Sequence, residues 1–126
     1  MGKVERLELA PGFEISRVLT GLWQIADLER SGQTLDPEKT ARFMQPYVVA
    51  GFSTFDMADH YGSAEIIAGR FKNQFPGGSD AQLLTKWVPK PGPVTREDVR
   101  EAVQRSLDRM QADQLDMLQY HAWNYA

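Results

Sequence analysis

The property that most restricts this chain is an alternation. Short runs rich in apolar and β-branched residues, near 17–24, 52–56, 82–87 and 115–120, are separated by stretches of helical spacing with turn residues at their ends. Strands joined through helices run parallel in one sheet, with helices packed outside it and right-handed crossovers.

Local chemistry marks the boundaries. Two apolar runs around Pro11-Gly12 predict a small β-hairpin, followed by a strand over 17–24. Residues 30–34 are polar, contain Gly and read as loop. Asp36-Pro37-Glu38 is a helix start, with a capping carboxylate and proline at the first helical position. Ala41, Met44 and Val48 share one face and Gly51 closes the helix, but Pro46 should kink its second half. Residues 52–56 form the second strand. Residues 63–71 form a helix with Ile66, Ile67 and Phe71 supplying apolar contacts. After a loop at 76–80 comes the third strand, 82–87, closed by the proline-rich stretch 89–93. Thr95 and Asp98 form a capping-box pattern ahead of an apolar stripe of Val99, Val103, Leu107 and Met110. Residues 115–120 are the fourth strand. The expected order is hairpin–βαβαβαβ in one unit over 1–126.

Composition narrows the function classes. With 42% hydrophobic and 25% charged residues the chain reads as globular. The net charge is −3 and the basic residues are dispersed, so no nucleic-acid or anionic-membrane surface is expected. No apolar run approaches the ~18 residues of a membrane-spanning helix. Cysteine is absent, which removes disulfides, a thiolate nucleophile and Cys-based zinc sites. With two histidines there is no His-rich metal cluster, and Asp56, Asp59 and His60 match no ligand spacing, so no metal is expected. Glycine-rich phosphate loops of the GxGxxG and GxxxxGK[ST] types are missing. A cytoplasmic location is the default expectation.

Four residues with chemical potential, Asp56, Tyr61, Lys86 and His121, fall at or just past the ends of expected strands. A parallel βα barrel keeps its active site there. A phenol has a reference pKa near ~10, too high for easy proton donation at neutral pH. A neighbouring ammonium favours the phenolate, and a carboxylate holds the ammonium in place. Tyr61 could therefore act as general acid, Lys86 as its partner and Asp56 as counter-ion to Lys86, with His121 orienting a carbonyl oxygen. The hydride would come from a cofactor. Trp23, Trp87 and Trp123 are candidate aromatic walls of a substrate pocket.

The stretch Gly51-Phe52-Ser53-Thr54-Phe55-Asp56-Met57-Ala58-Asp59-His60-Tyr61-Gly62-Ser63-Ala64-Glu65, continued by Ile66-Ile67-Ala68-Gly69, resembles the signature of the aldo-keto reductases. Thr85-Lys86 and Leu118-Gln119-Tyr120-His121 resemble the family's catalytic Lys and His segments, and Gly21-Leu22-Trp23 its first strand end. The resemblance implies an α/β fold: the N-terminal half of a TIM (β/α)8 barrel, preceded by the hairpin. It implies NADPH as cofactor, a small carbonyl substrate, Tyr61 as proton donor tuned by Lys86 and Asp56, and Gly21, Trp23 and Asp56 beside the cofactor. Family members continue through four more βα units that supply most cofactor contacts. The half barrel is therefore expected to be inactive alone. The alternative is a non-catalytic remnant, acting as an interaction module or self-associating through its open sheet edges.

Overall fold

A computed structural model describes residues 3–122. Strands β1 (Arg6–Ala10) and β2 (Phe13–Ser16) form the expected antiparallel hairpin around Gly12, whose φ of 76° gives the turn its left-handed residue. The remaining strands form one parallel sheet in the order β3 (Thr20–Gly21), β4 (Thr54–Asp56), β5 (Gln82–Trp87) and β6 (Met117–Tyr120). Between them lie α1 (Trp23–Arg30), α2 (Pro37–Ala41), α3 (Gln45–Val49), α4 (Ala64–Gln74) and α5 (Arg96–Met110).

Two expectations are corrected here. The strand expected over 17–24 is confined to Thr20–Gly21, and Trp23 and Gln24 open a helix. Pairing ends at Gly21 opposite Asp56, and the Leu22 N–H then donates to the Asp56 carbonyl at 2.9 Å. From there Trp23–Arg30, made largely of good helix formers, buries Ile25 and Ala26. Its N-cap, Leu22, makes no side-chain cap bond, so nothing local announces the helix. The second correction concerns α5. Its buried residues are Ala102, Ser106 and Met110, whereas Val99 is exposed and Val103 and Leu107 are half-buried. Similarly, Ile66 on α4 lies outward while Ile67 and Phe71 are buried.

Pro46 interrupts its helix as expected. It has no N–H to offer the Arg42 carbonyl, and the Gln45 N–H takes that acceptor instead, in a 3-10 turn over Arg42–Met44. Gly51 follows with φ 94°.

Strand alternation sorts the side chains. Phe55 and Leu83 point to the helices and join Ile67, Phe71, Ala41 and Met44 in the apolar core. Thr54, Asp56, Gln82, Leu84 and Lys86 share the opposite face. At the N-terminal end of the sheet, Arg6 of the hairpin donates to Ser53 Oγ (3.1 Å) and Gln82 Oε1 (3.1 Å), and the Ser16 N–H donates to Thr54 Oγ1 (2.9 Å). The hairpin thus covers the end of the sheet opposite Lys86 and His121.

Candidate active site

The candidate residues gather at the carboxyl ends of the parallel strands. Gly21 ends β3, Asp56 ends β4, Lys86 is penultimate in β5 and His121 follows β6. The register sets Asp56 beside Leu84, so Lys86 stands two residues further along the same face. Its Nζ bends back to Asp56 Oδ1 (2.7 Å), Asp56 Oδ2 (2.8 Å) and the Met57 carbonyl (2.8 Å). The Lys86 side chain is only 10% exposed, and Asp56 28%.

After β4 the chain turns through 57–61. The Met57 N–H donates to the Leu84 carbonyl and the Asp59 N–H to the Lys86 carbonyl, both at 2.9 Å, so β5 supports the turn from beside it. The Tyr61 N–H donates to the Ala58 carbonyl at 3.1 Å. The half-buried Tyr61 ring lies with its centroid 5.3 Å from Lys86 Nζ. The rings of Trp23 and His60 each meet it edge-on at 5.0 Å, and the Arg30 guanidinium lies 4.5 Å from the Trp23 ring centroid.

Asp56, Tyr61, Lys86 and Trp23 are thus brought together. His121 is half-buried beside the end of β5, its N–H donating to the Trp87 carbonyl at 2.9 Å. That bond carries the β5–β6 ladder one residue past Tyr120, and alternation puts position 121 on the Lys86 face. Trp87 lies on the other face: it is buried, and its ring meets Tyr120 at 5.7 Å rather than Tyr61. Trp123 lies outside the described residues. No group of His, Cys, Asp and Glu able to hold a metal occurs among the described residues.

Glu65 belongs to the family-like stretch, but its partners are not legible in the sequence, and Glu29 carries no sequence signal at all. Glu65 is 1% exposed and accepts from Thr85 Oγ1 (2.6 Å), Ser106 Oγ (2.8 Å) and Arg109 Nη1 (3.2 Å). Glu29 Oε1 accepts from the N–H (2.9 Å) and Oγ (2.6 Å) of Ser63, setting a carboxylate at the start of α4. The signal for Glu65 was present as a carboxylate among Ala64, Ile67 and Ala68, but its partners are remote in sequence.

A parallel βα sheet with acid–base groups at the carboxyl ends of its strands defines a member of the (β/α)8-barrel class, seen here over its first four strands. The Aldo/keto reductase family model matches residues 17–126, and the chain belongs to that family. A curated relative, the 6-dehydroglucose reductase of Agrobacterium fabrum, is 28% identical over 94% of this chain and 43% of its own length. A second protein of that name, from Novosphingobium aromaticivorans, is 28% identical over 87% of this chain and 38% of its own. This chain therefore spans less than half the length of these curated relatives. An aldo-keto reductase from Klebsiella pneumoniae, crystallised with NADPH, superimposes with a TM-score of 0.73 at 19% identity, covering 94% of this chain and 39% of its own. At that identity the likeness speaks to fold.

Proposed function

We propose that this site reduces an aldehyde or ketone, with Tyr61 giving the proton and NADPH the hydride. One observation carries the reading: the Lys86 ammonium, fixed by Asp56, stands 5.3 Å from the Tyr61 ring centroid. Family membership and the NADPH complex of the Klebsiella protein support it.

The chemistry of the side-chain set fits such a cofactor. Phenol, ammonium, carboxylate and imidazole move protons and bind oxygen, but none gives up a hydride. NADPH, when bound, supplies that hydride to the carbonyl carbon. Gly21, Trp23 and Asp56 are the residues of this chain that would hold it; nothing stands within 4 Å of where a Cβ on Gly21 would lie. His121 orients the carbonyl oxygen by hydrogen bonding. The Tyr61 hydroxyl passes its proton to that oxygen as the C–H bond forms, leaving an alcohol. Lys86 stabilises the resulting phenolate, Asp56 keeps Lys86 in place, and solvent returns the proton to Tyr61. Trp23 walls the phenol from one side. Under this reading the further cofactor contacts come from strands that close the barrel, so the 126 residues alone turn over little or nothing.

The test is loss of cofactor absorbance with NADPH and either an aromatic aldehyde or a sugar-derived carbonyl, in this chain and in its longest reading frame. Turnover should vanish in Tyr61→Phe; undiminished turnover in that variant would overturn the proposal. A second reading, self-association as a half barrel, is favoured by the exposed apolar strip of Val18, Leu19 and Tyr47 beside the edge strand β3. Light scattering on the purified chain checks it, and a monomer at all concentrations would remove it.

A further inference from the structure

We infer that Arg109 and Glu65 are positioning residues for Tyr61, a half-buried guanidinium on a buried carboxylate that together clamp residues 57–61 from the helix side of the sheet. Its catalytic consequence rests on the carbonyl-reduction reading; the clamp itself rests on geometry.

Residues 57–61, which follow β4, lie outside any helix or strand. From the strand side they are held by the bonds of Met57 and Asp59 to β5 and by Lys86 Nζ on the Met57 carbonyl. From the opposite side Arg109 Nη1 donates to the Asp59 carbonyl at 2.7 Å. The same nitrogen reaches Glu65 Oε2 at 3.2 Å, so one guanidinium arm spans loop and carboxylate. Glu65 cannot drift to meet it, because its other oxygen is held by Thr85 and Ser106 at 2.6 and 2.8 Å. Thr85 directly precedes Lys86. One buried carboxylate thus touches the strand that carries the ammonium and, through Arg109, the turn that carries the phenol. Arg105 Nη2 and His60 Nδ1 flank the Asp59 carboxylate at 3.6 and 3.2 Å, contacts separate from the one Arg109 makes to the Asp59 carbonyl.

An ion pair that only stabilised the fold would, when broken, weaken all core protection alike. A clamp loosens one turn. The experiment is amide hydrogen exchange together with NMR of the Tyr61 ring, on the 126-residue chain and its Arg109→Met, Arg109→Lys and Ser106→Ala variants. In Arg109→Met the amides of Asp59 and Tyr61 should exchange about tenfold faster or more while β5 amides change little, as for local opening. The Tyr61 ring protons should lose the shift imposed by Trp23. Arg109→Lys, which keeps a charged multi-hydrogen donor, should restore most of the protection. Ser106→Ala, a milder change, should show the same loop-confined pattern and keeps the question answerable if Arg109→Met does not fold. Uniform acceleration across loop and β5, or an unshifted Tyr61 ring in every folded variant, overturns the inference. Undiminished turnover in Tyr61→Phe would defeat the catalytic reading and leave these measurements untouched.

Discussion

The Lys86 ammonium meets the Asp56 carboxylate twice, at 2.7 and 2.8 Å, and the Met57 carbonyl takes its remaining hydrogen at 2.8 Å. An ammonium has three donors, and all three are engaged. Toward Tyr61 it therefore acts through space, 5.3 Å from the ring centroid, rather than by a hydrogen bond of its own. Under the proposed function, such a charge is held where a developing phenolate would need it, with no rearrangement at the moment of reaction.

Replacing Lys86 by Met should separate these roles. Asp56 would be left partly buried without its cation. A fully buried pair broken this way costs about 3–5 kcal/mol, and the exposure of Asp56 reduces this to about 1–3 kcal/mol. Urea denaturation measures that loss. Under the proposed function, turnover in the complete enzyme should fall by about 10²–10⁴-fold as well, the range for an acid–base group. A stability loss with unchanged turnover would make the pair purely structural.

Tyr61→Phe should do the reverse. Only the hydroxyl is removed, and the ring contacts with Trp23 and His60 are kept. Stability should move by no more than about 0.5 kcal/mol, as for a change that creates no cavity and buries no new polar group. Under the proposed function, turnover in the complete enzyme should drop by at least about 10²–10⁴-fold, to a level the assay reads as lost. Thermal melting and the NADPH assay, run on the same preparations, check both halves.

Gly69 provides a test of packing rather than chemistry. A Cβ there would stand 2.3 Å from the Met110 carbonyl oxygen and 2.4 Å from its Cα, so backbone meets backbone where α4 crosses the end of α5. No rotamer change relieves such a clash. Gly69→Ala should cost about 1–3 kcal/mol or more, the range for overpacking. A melting temperature equal to wild type would show that the two helices can part freely.

The same contact explains which parts of the fold the sequence could disclose. Helix starts were legible where the signal is local: Asp36 accepts from the N–H groups of Glu38 and Lys39, and Thr95 and Asp98 close a capping box. The face of α5 was not. Its apolar stripe through Val99 and Val103 is the more hydrophobic choice, yet the buried face carries Ala102 and Ser106, because α4 comes close at Gly69 and Glu65 needs the Ser106 hydroxyl. Helix α1 has no local signal, because only the partner strand ends β3 at Gly21. Asp56, Tyr61 and Lys86 were readable as residue types at strand ends. The Glu65 network joins residues 20, 41 and 44 positions apart, and no local pattern encodes that.

The capping box also sets a pH dependence with a defined sign. Asp98 accepts from the Thr95 N–H and hydroxyl at 2.8 Å each, and these bonds, the backbone one foremost, hold its carboxyl below the ordinary value of 3.8. A group whose pKa is lowered by folding contributes stability above its unfolded pKa and loses it as pH falls through the folded value. The stability difference between wild type and Asp98→Ala should therefore be constant from neutral pH down to about pH 5, then shrink as both forms of the carboxyl protonate at lower pH. Urea midpoints measured across that range check this. A difference that grows on acidification would mean that the carboxylate opposes the start of α5.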